Sequence, residues 1–273
     1  MSDTNKEDFI INTASGFESP KQKPDFQIHS VVGVADSLKP DFEIHGIETD
    51  EEDFVIHGAR EDKTAEEEDF TLHEVNTTQP TRKEMPRAGD FVEIGEVDLD
   101  NIPIFMDSET FQAMEEHLSS LRKTQTPYRE MGGAPIGRYC VDSQGREFVE
   151  ILAYIPFTAP STGGDIEIPE REWYRVHMIV DEMREKGLEV VISGWTHSHP
   201  NFTPAPSDTD VNTTNTHFNQ SFMSALIYDP YHRKIGAFEL DGRGGLKNKG
   251  GIAITGENRN LARDISYCEE GHL

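Results

Sequence analysis

Basic residues, cysteines and long apolar runs are all scarce in this chain of 273 residues. It has 25 lysines and arginines against 51 acidic residues, a formal net charge of −26. This charge disfavours non-specific binding to nucleic acid and docking on anionic membranes, because both require clustered Lys and Arg. No apolar run reaches the roughly 18 residues of a membrane-spanning helix, and the N-terminus shows no secretory signal. We therefore expect neither a nucleic-acid nor a membrane partner.

The two cysteines, Cys140 and Cys268, cannot form a disulfide framework. Together with the missing signal segment, they predict a cytoplasmic protein in a reducing compartment. We expect Cys140 to be a small core residue. Cys268 and His272 form a candidate second metal site, although a solvated terminus is favoured because two ligands alone do not fix a metal.

Residues 1–90 contain no Trp, Tyr or Cys, and they hold 22 acidic against 9 basic residues. Such a segment cannot bury enough apolar surface to offset the backbone entropy of ordering, about 1–2 kcal/mol per residue. We predict that this segment is a long disordered acidic tail.

The tail repeats the pattern Asp-Phe-x-[Ile/Leu]-His four times, starting at Asp25, Asp41, Asp53 and Asp69. In an extended strand, Phe and the residue two places on lie on the same face. The repeats therefore resemble short docking peptides for a multivalent partner. Two alternatives are a drifted repeat without a partner and metal binding by the four histidines.

From residue 91 to about 260 the pattern is that of a folded domain, with residues 261–273 as a C-terminal tail. Phe111, Met114, Leu118 and Leu121 follow a helical spacing, and a second helix is predicted between Pro169 and Gly187. Strands are predicted at Glu130–Cys140, Glu147–Phe157, Leu188–Trp195, Ser221–Tyr228, Lys234–Leu240 and Gly251–Thr255. The predicted class is α+β, or mixed α/β, with a central mixed sheet flanked by helices.

The segment with the clearest chemistry is Gly194–Pro200, which contains His197 and His199 at the end of a predicted strand. Residues two apart in a strand point to the same side, so the two imidazoles can share a metal ion. Asp210 is a candidate third ligand, which leaves a fourth position open as in catalytic zinc sites. A His-x-His pair also occurs by chance, and Ser207 with Asp210 also fits a helix capping box.

These residues resemble the JAMM motif of the JAB/MPN metalloproteases, which include zinc deubiquitinating isopeptidases and their prokaryotic relatives. The resemblance rests on His-Ser-His-Pro at 197–200, followed by Ser207 and Asp210. The family also has a glutamate in a Glu-x-Gly-Gly context, which is present here at Glu130. Over roughly residues 98–256, the resemblance implies a single MPN-like domain with one catalytic Zn²⁺.

Carried over by position, the resemblance assigns His197, His199 and Asp210 to the zinc ion. It implies that Glu130 is the general acid–base and that Ser207 donates a hydrogen bond to the oxyanion. Glu147 and Glu150 are rival bases, although both read better as ordinary strand residues. Because proline lacks an N–H group, Pro135 puts the strand pairing after Gly133 in doubt.

The resemblance implies an isopeptidase or peptidase that cleaves after the C-terminal Gly-Gly of ubiquitin or a ubiquitin-like protein. The segment Thr158–Ile168 would correspond to an insertion that covers the substrate tail. One alternative is a zinc amidohydrolase of the same fold, acting on a sulfur-carrier protein or a small-molecule conjugate. Another is a non-catalytic MPN scaffold.

Overall fold

A computed structural model describes residues 79–123, 129–158 and 168–269. Within these residues twelve strands form one mixed sheet, accompanied by three α-helices and two 3-10 helices. The strands are β1 (Thr81–Arg82), β2 (Val92–Ile94), β3 (Ile104–Asp107), β4 (Gly132–Val141), β5 (Glu147–Pro156), β6 (Val191–Ile192), β7 (Gly194–Ser198), β8 (Ser224–Asp229), β9 (Lys234–Leu240), β10 (Leu246–Asn248), β11 (Ile252–Thr255) and β12 (Ser266–Tyr267). The helices are α1 (Ser108–Leu118), α2 (Glu170–Glu185) and α3 (Asp208–His217), with 3-10 turns at Ser120–Lys123 and Arg259–Asp264. The predicted mixed α/β class is confirmed.

Helices α1 and α2 form where the apolar spacing predicts them. In α1, Phe111, Met114 and Leu118 are buried, and the Asp107 side chain accepts a hydrogen bond from the Glu109 N–H at 2.9 Å. These apolar residues pack in one hydrophobic cluster, whereas the buried face of α2 packs in a second cluster with other sheet residues. None of the helices in the described ranges is long and apolar enough to cross a membrane.

The main strand order is β10-β9-β8-β7-β4-β5-β3-β11-β2. Parallel pairs (β7 with β8, β3 with β5 and β11) alternate with antiparallel pairs such as β4 with β5. One edge of β4 is shared by three short strands in turn: β7 at its start, β6 in its middle and β1 at its end. The start of β4 therefore lies beside the end of β7, where the two histidines are.

The predicted strand Leu188–Trp195 is wrong in its bounds, because the chain breaks between β6 and β7. Gly194 adopts φ +136°, a conformation that side chains with a Cβ rarely adopt, and a Cβ there would lie 1.9 Å from the Ser224 carbonyl oxygen. Both β6 and β7 run antiparallel to β4, with the register shifted by one residue across the break, and β7 also pairs with β8 through Ser198.

The doubt over pairing after Gly133 is resolved in favour of a continuous strand. Pro135 pairs with Tyr154 on β5, and its carbonyl accepts a hydrogen bond from the Ser193 N–H at 2.9 Å. The register shifts only between Ile136 and Gly137. Pro135 lies where the neighbour of β4 changes from β7 to β6, so the ladder runs past it.

Short elements of regular structure lie outside the expected domain at both ends. Residues 79–90, which we assigned to the tail, include β1 and the buried Met85. Residues 261–269, which we assigned to a C-terminal tail, include β12, which pairs with β9, and the buried Cys268. Short pairings order both segments despite their polar composition. The four repeats and the rest of residues 1–78 lie outside the described residues.

Candidate metal centre

Three separate segments bring the candidate site residues together. His197 and His199 come from the end of β7 and the residue after it, and Asp210 from the first turn of α3. Glu130 lies two residues before β4. All four side chains are buried, at 0 to 9% exposure, so the sheet holds a compact cluster of imidazoles and carboxylates.

The two imidazoles point to the same side of β7, as their spacing predicts. Their Nε2 atoms are 3.0 Å apart. The Nδ1 of His199 lies 3.2 Å from the Thr203 carbonyl oxygen, to which it can donate a hydrogen bond. With the proton on Nδ1, the lone pair of Nε2 faces the cluster and is available to a metal ion.

Asp210 serves both the cluster and its own helix. Its Oδ1 lies 3.1 Å from His197 Nε2, and its Oδ2 lies 3.4 Å from His199 Nε2. The Ser207 N–H donates to Oδ2 at 2.7 Å, while the Asp210 N–H donates to Ser207 Oγ at 3.2 Å. The capping box is formed, and the same carboxylate also contacts both imidazoles, so the two interpretations of Asp210 do not exclude each other.

Glu130 reaches the cluster through the pairing of β4 with β7. The Ser198 N–H donates to the Met131 carbonyl at 2.8 Å, and the Met131 N–H donates to Ser198 Oγ at 3.0 Å. These bonds place Glu130 Oε1 3.9 Å from His199 Nε2. The carboxylate is close to the imidazoles but farther from them than Asp210.

The imidazoles and carboxylates of the cluster shift one another's pKa values. Burial alone would raise the pKa of Asp210, but His197 and His199 hold that pKa well below its ordinary range. Burial alone would lower the pKa of His199, but Asp210 and Glu130 outweigh it and raise that pKa. The site therefore favours a carboxylate anion surrounded by positive charge, which a divalent cation can supply.

The cluster has the donor set of a metal site. Glu130, His197 and His199 each offer a ligand atom, and these atoms lie within 4.8 Å of one another. Two nitrogens bound to one tetrahedral zinc at about 2.0–2.1 Å are about 3.3 Å apart, close to the 3.0 Å between the Nε2 atoms. With Asp210 against both imidazoles, the residues fit a zinc ion.

The rival candidates lie elsewhere. Glu150 pairs with Lys83 and Arg138, and Glu147 is exposed at the start of β5. Cys140 is a buried core residue, and burial, followed by the charge of Glu150, raises the pKa of its thiol to about 12, which disfavours a nucleophilic thiolate. Cys268 is buried, whereas its proposed partner His272 lies outside the described residues.

Two contributors to the site were missed in the sequence. The carbonyl of Thr203 carries no sequence signal, because every residue has one. Trp195 stacks on His197, with 4.3 Å between the ring centroids and 13° between the planes. The signal for Trp195 was available, since it precedes His197 by two residues in the same strand and so lies on the same side.

The chain is similar to known proteins over part of its length. Residues 112–235 match the family model of the prokaryotic homologues of the JAB domain. A stretch of 115 residues is 24% identical to the 26S proteasome non-ATPase regulatory subunit 14 of Dictyostelium discoideum, over 42% of this chain and 36% of that protein. The chain thus matches little more than a third of the length of that relative. The solution structure of protein DSY2949 from Desulfitobacterium hafniense aligns with 56% of this chain and 94% of its own, at 20% identity and a TM-score of 0.42.

The part of the chain between residues 112 and 235 is similar to the JAB domain family. The matched range includes Glu130, His197, His199, Ser207 and Asp210.

Proposed function

We propose that this protein is a JAMM-type zinc metallopeptidase in which His197, His199 and Asp210 hold one Zn²⁺. The observation that carries the proposal is the contact of both Nε2 atoms with the Asp210 carboxylate, at 3.1 and 3.4 Å, in a buried cluster. When bound, zinc supplies Lewis acidity toward a carbonyl group and toward water.

Glu130 is the proposed general base and acid. Its carboxylate is 4% exposed and lies at the edge of the cluster, 3.9 Å from His199. It takes a proton from the attacking water and delivers it to the leaving amine. Ser207 is the proposed hydrogen-bond donor to the oxyanion of the tetrahedral intermediate. Its Oγ accepts the Asp210 N–H, so the hydroxyl proton remains available for donation.

The proposed substrate is ubiquitin or a ubiquitin-like protein, cleaved after its C-terminal Gly-Gly during deconjugation or precursor processing. The resemblance to the JAMM motif and the similarity to a proteasome regulatory subunit support this choice. The residues 159–167, which we expect to cover the substrate tail, lie outside the described ranges. We place the enzyme in the cytoplasm, where its two unpaired cysteines stay reduced.

The metal and the base are tested separately. We expect the purified protein to carry about one zinc per chain by elemental analysis, and His197→Ala or Asp210→Ala to lose it. Glu130→Gln should keep the zinc and the fold but lose about 10²–10⁴ in turnover, because the amide cannot accept a proton. Glu147→Gln is the matched control and should be fully active. Zinc below a tenth of an equivalent, or an active Glu130→Gln protein, would contradict the assignment.

The substrate class is tested with ubiquitin-like proteins that carry C-terminal extensions, analysed by mass spectrometry. Cleavage after Gly-Gly supports the proposal. Cleavage only of small amide conjugates would identify an amidohydrolase of the same fold, and a zinc-loaded protein that cleaves neither would indicate a scaffold.

We also propose that the four Asp-Phe-x-[Ile/Leu]-His repeats bind a multivalent partner of the enzyme. Linked weak sites can raise avidity by about 10²–10⁴ without new contacts. Replacing Phe26, Phe42, Phe54 and Phe70 together by Ala should reduce capture of ubiquitin-like substrates or conjugating enzymes immobilised as multimers. Equal capture by the substituted chain would favour a repeat without a partner.

A further inference from the structure

Helix α3 has an unusual inner face. Its buried side chains are Asp210 and Thr214, which lie one helical turn apart and are both polar. A helix normally docks on a sheet through an apolar stripe. Val211 adds one partly buried apolar contact with the hydrophobic cluster that also contains the buried face of α2. The position of α3, and with it that of the Asp210 carboxylate, therefore depends largely on what the two polar side chains contact.

Trp195 on β7 contacts two segments of the candidate metal centre, namely its own strand at His197 and helix α3 at Thr214. Its Nε1–H donates to Thr214 Oγ1 at 3.0 Å, and the Thr214 hydroxyl donates to the Asp210 carbonyl at 2.7 Å. Its ring also stacks on His197. Trp195 and Thr214 are 0 and 1% exposed, so water cannot replace either hydrogen bond.

The far end of α3 is held by the same indole. Phe218, which ends the helix, lies parallel to the Trp195 ring at 5.9 Å and 6°. The indole thus stacks on the His197 imidazole and also lies parallel to the ring of Phe218, the residue that follows α3. The fully buried Trp195 side chain therefore connects β7, which leads to two proposed ligands, with α3, which carries the third.

We propose that Trp195 and Thr214 are positioning residues, which fix α3 on β7 so that Asp210 meets His197 at metal-binding distance. The expected effect on metal affinity rests on the proposed function, whereas the attachment of α3 to β7 does not. Partners behind metal ligands typically affect metal affinity by 10–100-fold. Trp195 and Thr214 would act through the ligands, since neither offers an atom to the ion.

The chain provides a matched pair of variants. Thr214→Val keeps the side-chain shape but removes the hydroxyl that joins Trp195 to Asp210. Thr216→Val removes an equivalent hydroxyl, which donates to the Asn212 carbonyl at 2.8 Å on the exposed side of the same helix. Thr214→Ser restores the hydroxyl and guards against an effect of packing alone, and Trp195→Phe removes the donor while keeping an aromatic ring.

Affinity for Zn²⁺ is measured by competition with a chromophoric chelator, and ligand geometry by the visible absorption of the Co²⁺-loaded protein. We expect Thr214→Val to weaken zinc binding by about 10–100-fold and to change the Co²⁺ spectrum. Thr216→Val should match the wild type, and Thr214→Ser should recover most of the affinity. In a Trp195→Phe background, Thr214→Val should cost less than in the wild type, because the donor is already missing.

A second measurement on metal-free protein separates this inference from the proposed function. We expect Thr214→Val, but not Thr216→Val, to accelerate hydrogen exchange of the Trp195 indole N–H and of the α3 amides. A wild-type protein that binds no metal would contradict the proposed function, while the exchange rates would still decide whether the pair holds α3. Equal exchange and equal zinc affinity for the two valine variants would overturn the positioning role.

Discussion

Ser207 combines two roles in one side chain. It caps α3 through its hydrogen bond with the Asp210 N–H, and it is our proposed oxyanion donor. Ser207→Ala should therefore lower the free energy of unfolding by about 1 kcal/mol and turnover by about 10²–10³. Chemical denaturation and steady-state kinetics measure the two effects.

The two roles of Ser207 separate in a second variant. Asp is as good an N-cap as Ser, but an ionised carboxylate cannot donate a hydrogen bond. Ser207→Asp should keep the stability of the wild type and lose turnover like Ser207→Ala. Wild-type turnover in Ser207→Asp would assign the serine to capping alone.

His117 makes the folding stability depend on pH. Burial, with a smaller effect of the Arg175 charge, lowers the pKa of His117 from 6.5 to about 4. As the pH falls below 6.5, the unfolded chain takes up a proton that the folded protein does not, so stability is lost progressively down to about pH 4. At about 1.4 kcal/mol per pKa unit, this loss is about 3–4 kcal/mol.

His117→Gln tests this dependence, because glutamine is neutral throughout and can still hydrogen-bond the Tyr154 hydroxyl, which lies 2.8 Å from His117 Nδ1. Urea denaturation at several pH values should give parallel curves for the two proteins above pH 7 and a shallower acid decline for the variant. Identical slopes between pH 6.5 and 4 would rule out His117 as the source.

Residue by residue, the sequence revealed the parts of the site that local geometry controls. His197 and His199 share a face because strands have a period of two, and Ser207 with Asp210 follows from helix capping. Glu130 is different. Its approach depends on the pairing of β4 with β7, which joins residues far apart in the chain. Only the family resemblance singled it out from Glu147 and Glu150.

Among the elements, the break between β6 and β7 offers a direct test. Gly194 needs a positive φ and also lies against the Ser224 backbone. Gly194→Ala should lower the free energy of unfolding by about 3 kcal/mol or more, since strain and overlap add. Gly187 also has a positive φ, +86°, but a Cβ there meets nothing within 4 Å.

Gly187→Ala is therefore the matched control for Gly194→Ala. It should cost only the conformational strain, about 1–2 kcal/mol. Denaturant unfolding of both variants measures the difference. Equal costs would mean that the close approach to Ser224 relaxes without penalty.

Periodicity identified most elements but not α3. Helices α1 and α2 carry apolar residues at helical spacing, and β9 was predicted at its observed bounds, Lys234–Leu240. The sequence of α3, by contrast, has no such stripe, because its buried side chains are Asp210 and Thr214 and its one apolar side chain, Val211, is only partly buried. A helix whose buried face is polar lacks the apolar spacing by which helices are predicted. The capping box of Ser207 and Asp210 was therefore the one signal for α3 in the sequence.

At the scale of the whole molecule, the order at residues 79–90 predicts where the chain can be shortened. Deleting residues 1–78 should leave the unfolding free energy and zinc content unchanged. Deleting residues 1–90 also removes β1, its pairing with Cys140 and Val141, and the buried Met85. Burial of one such side chain contributes about 1.5–3 kcal/mol, so the shorter protein should be less stable by at least that amount.

Thermal and urea unfolding of the two truncated proteins measure this effect. Equal stability would show that residues 79–90 contribute nothing to the domain and would restore the boundary at residue 90. Composition could not place this boundary, because residues 79–90 are as polar as the tail before them. Their order comes from a two-residue pairing, from Met85 and from the Lys83–Glu150 ion pair.

The bond between the Ser207 N–H and the Asp210 carboxylate has an evolutionary consequence. This carboxylate is bonded to its own helix as well as to the imidazoles, and the capping box at the first turn of α3 does not include the imidazoles. A descendant lineage can therefore discard the histidines, and the chemistry with them, while the helix and the surface around it survive. If our proposed function is right, the catalytic histidines of such a domain can be lost while its architecture is kept for another use.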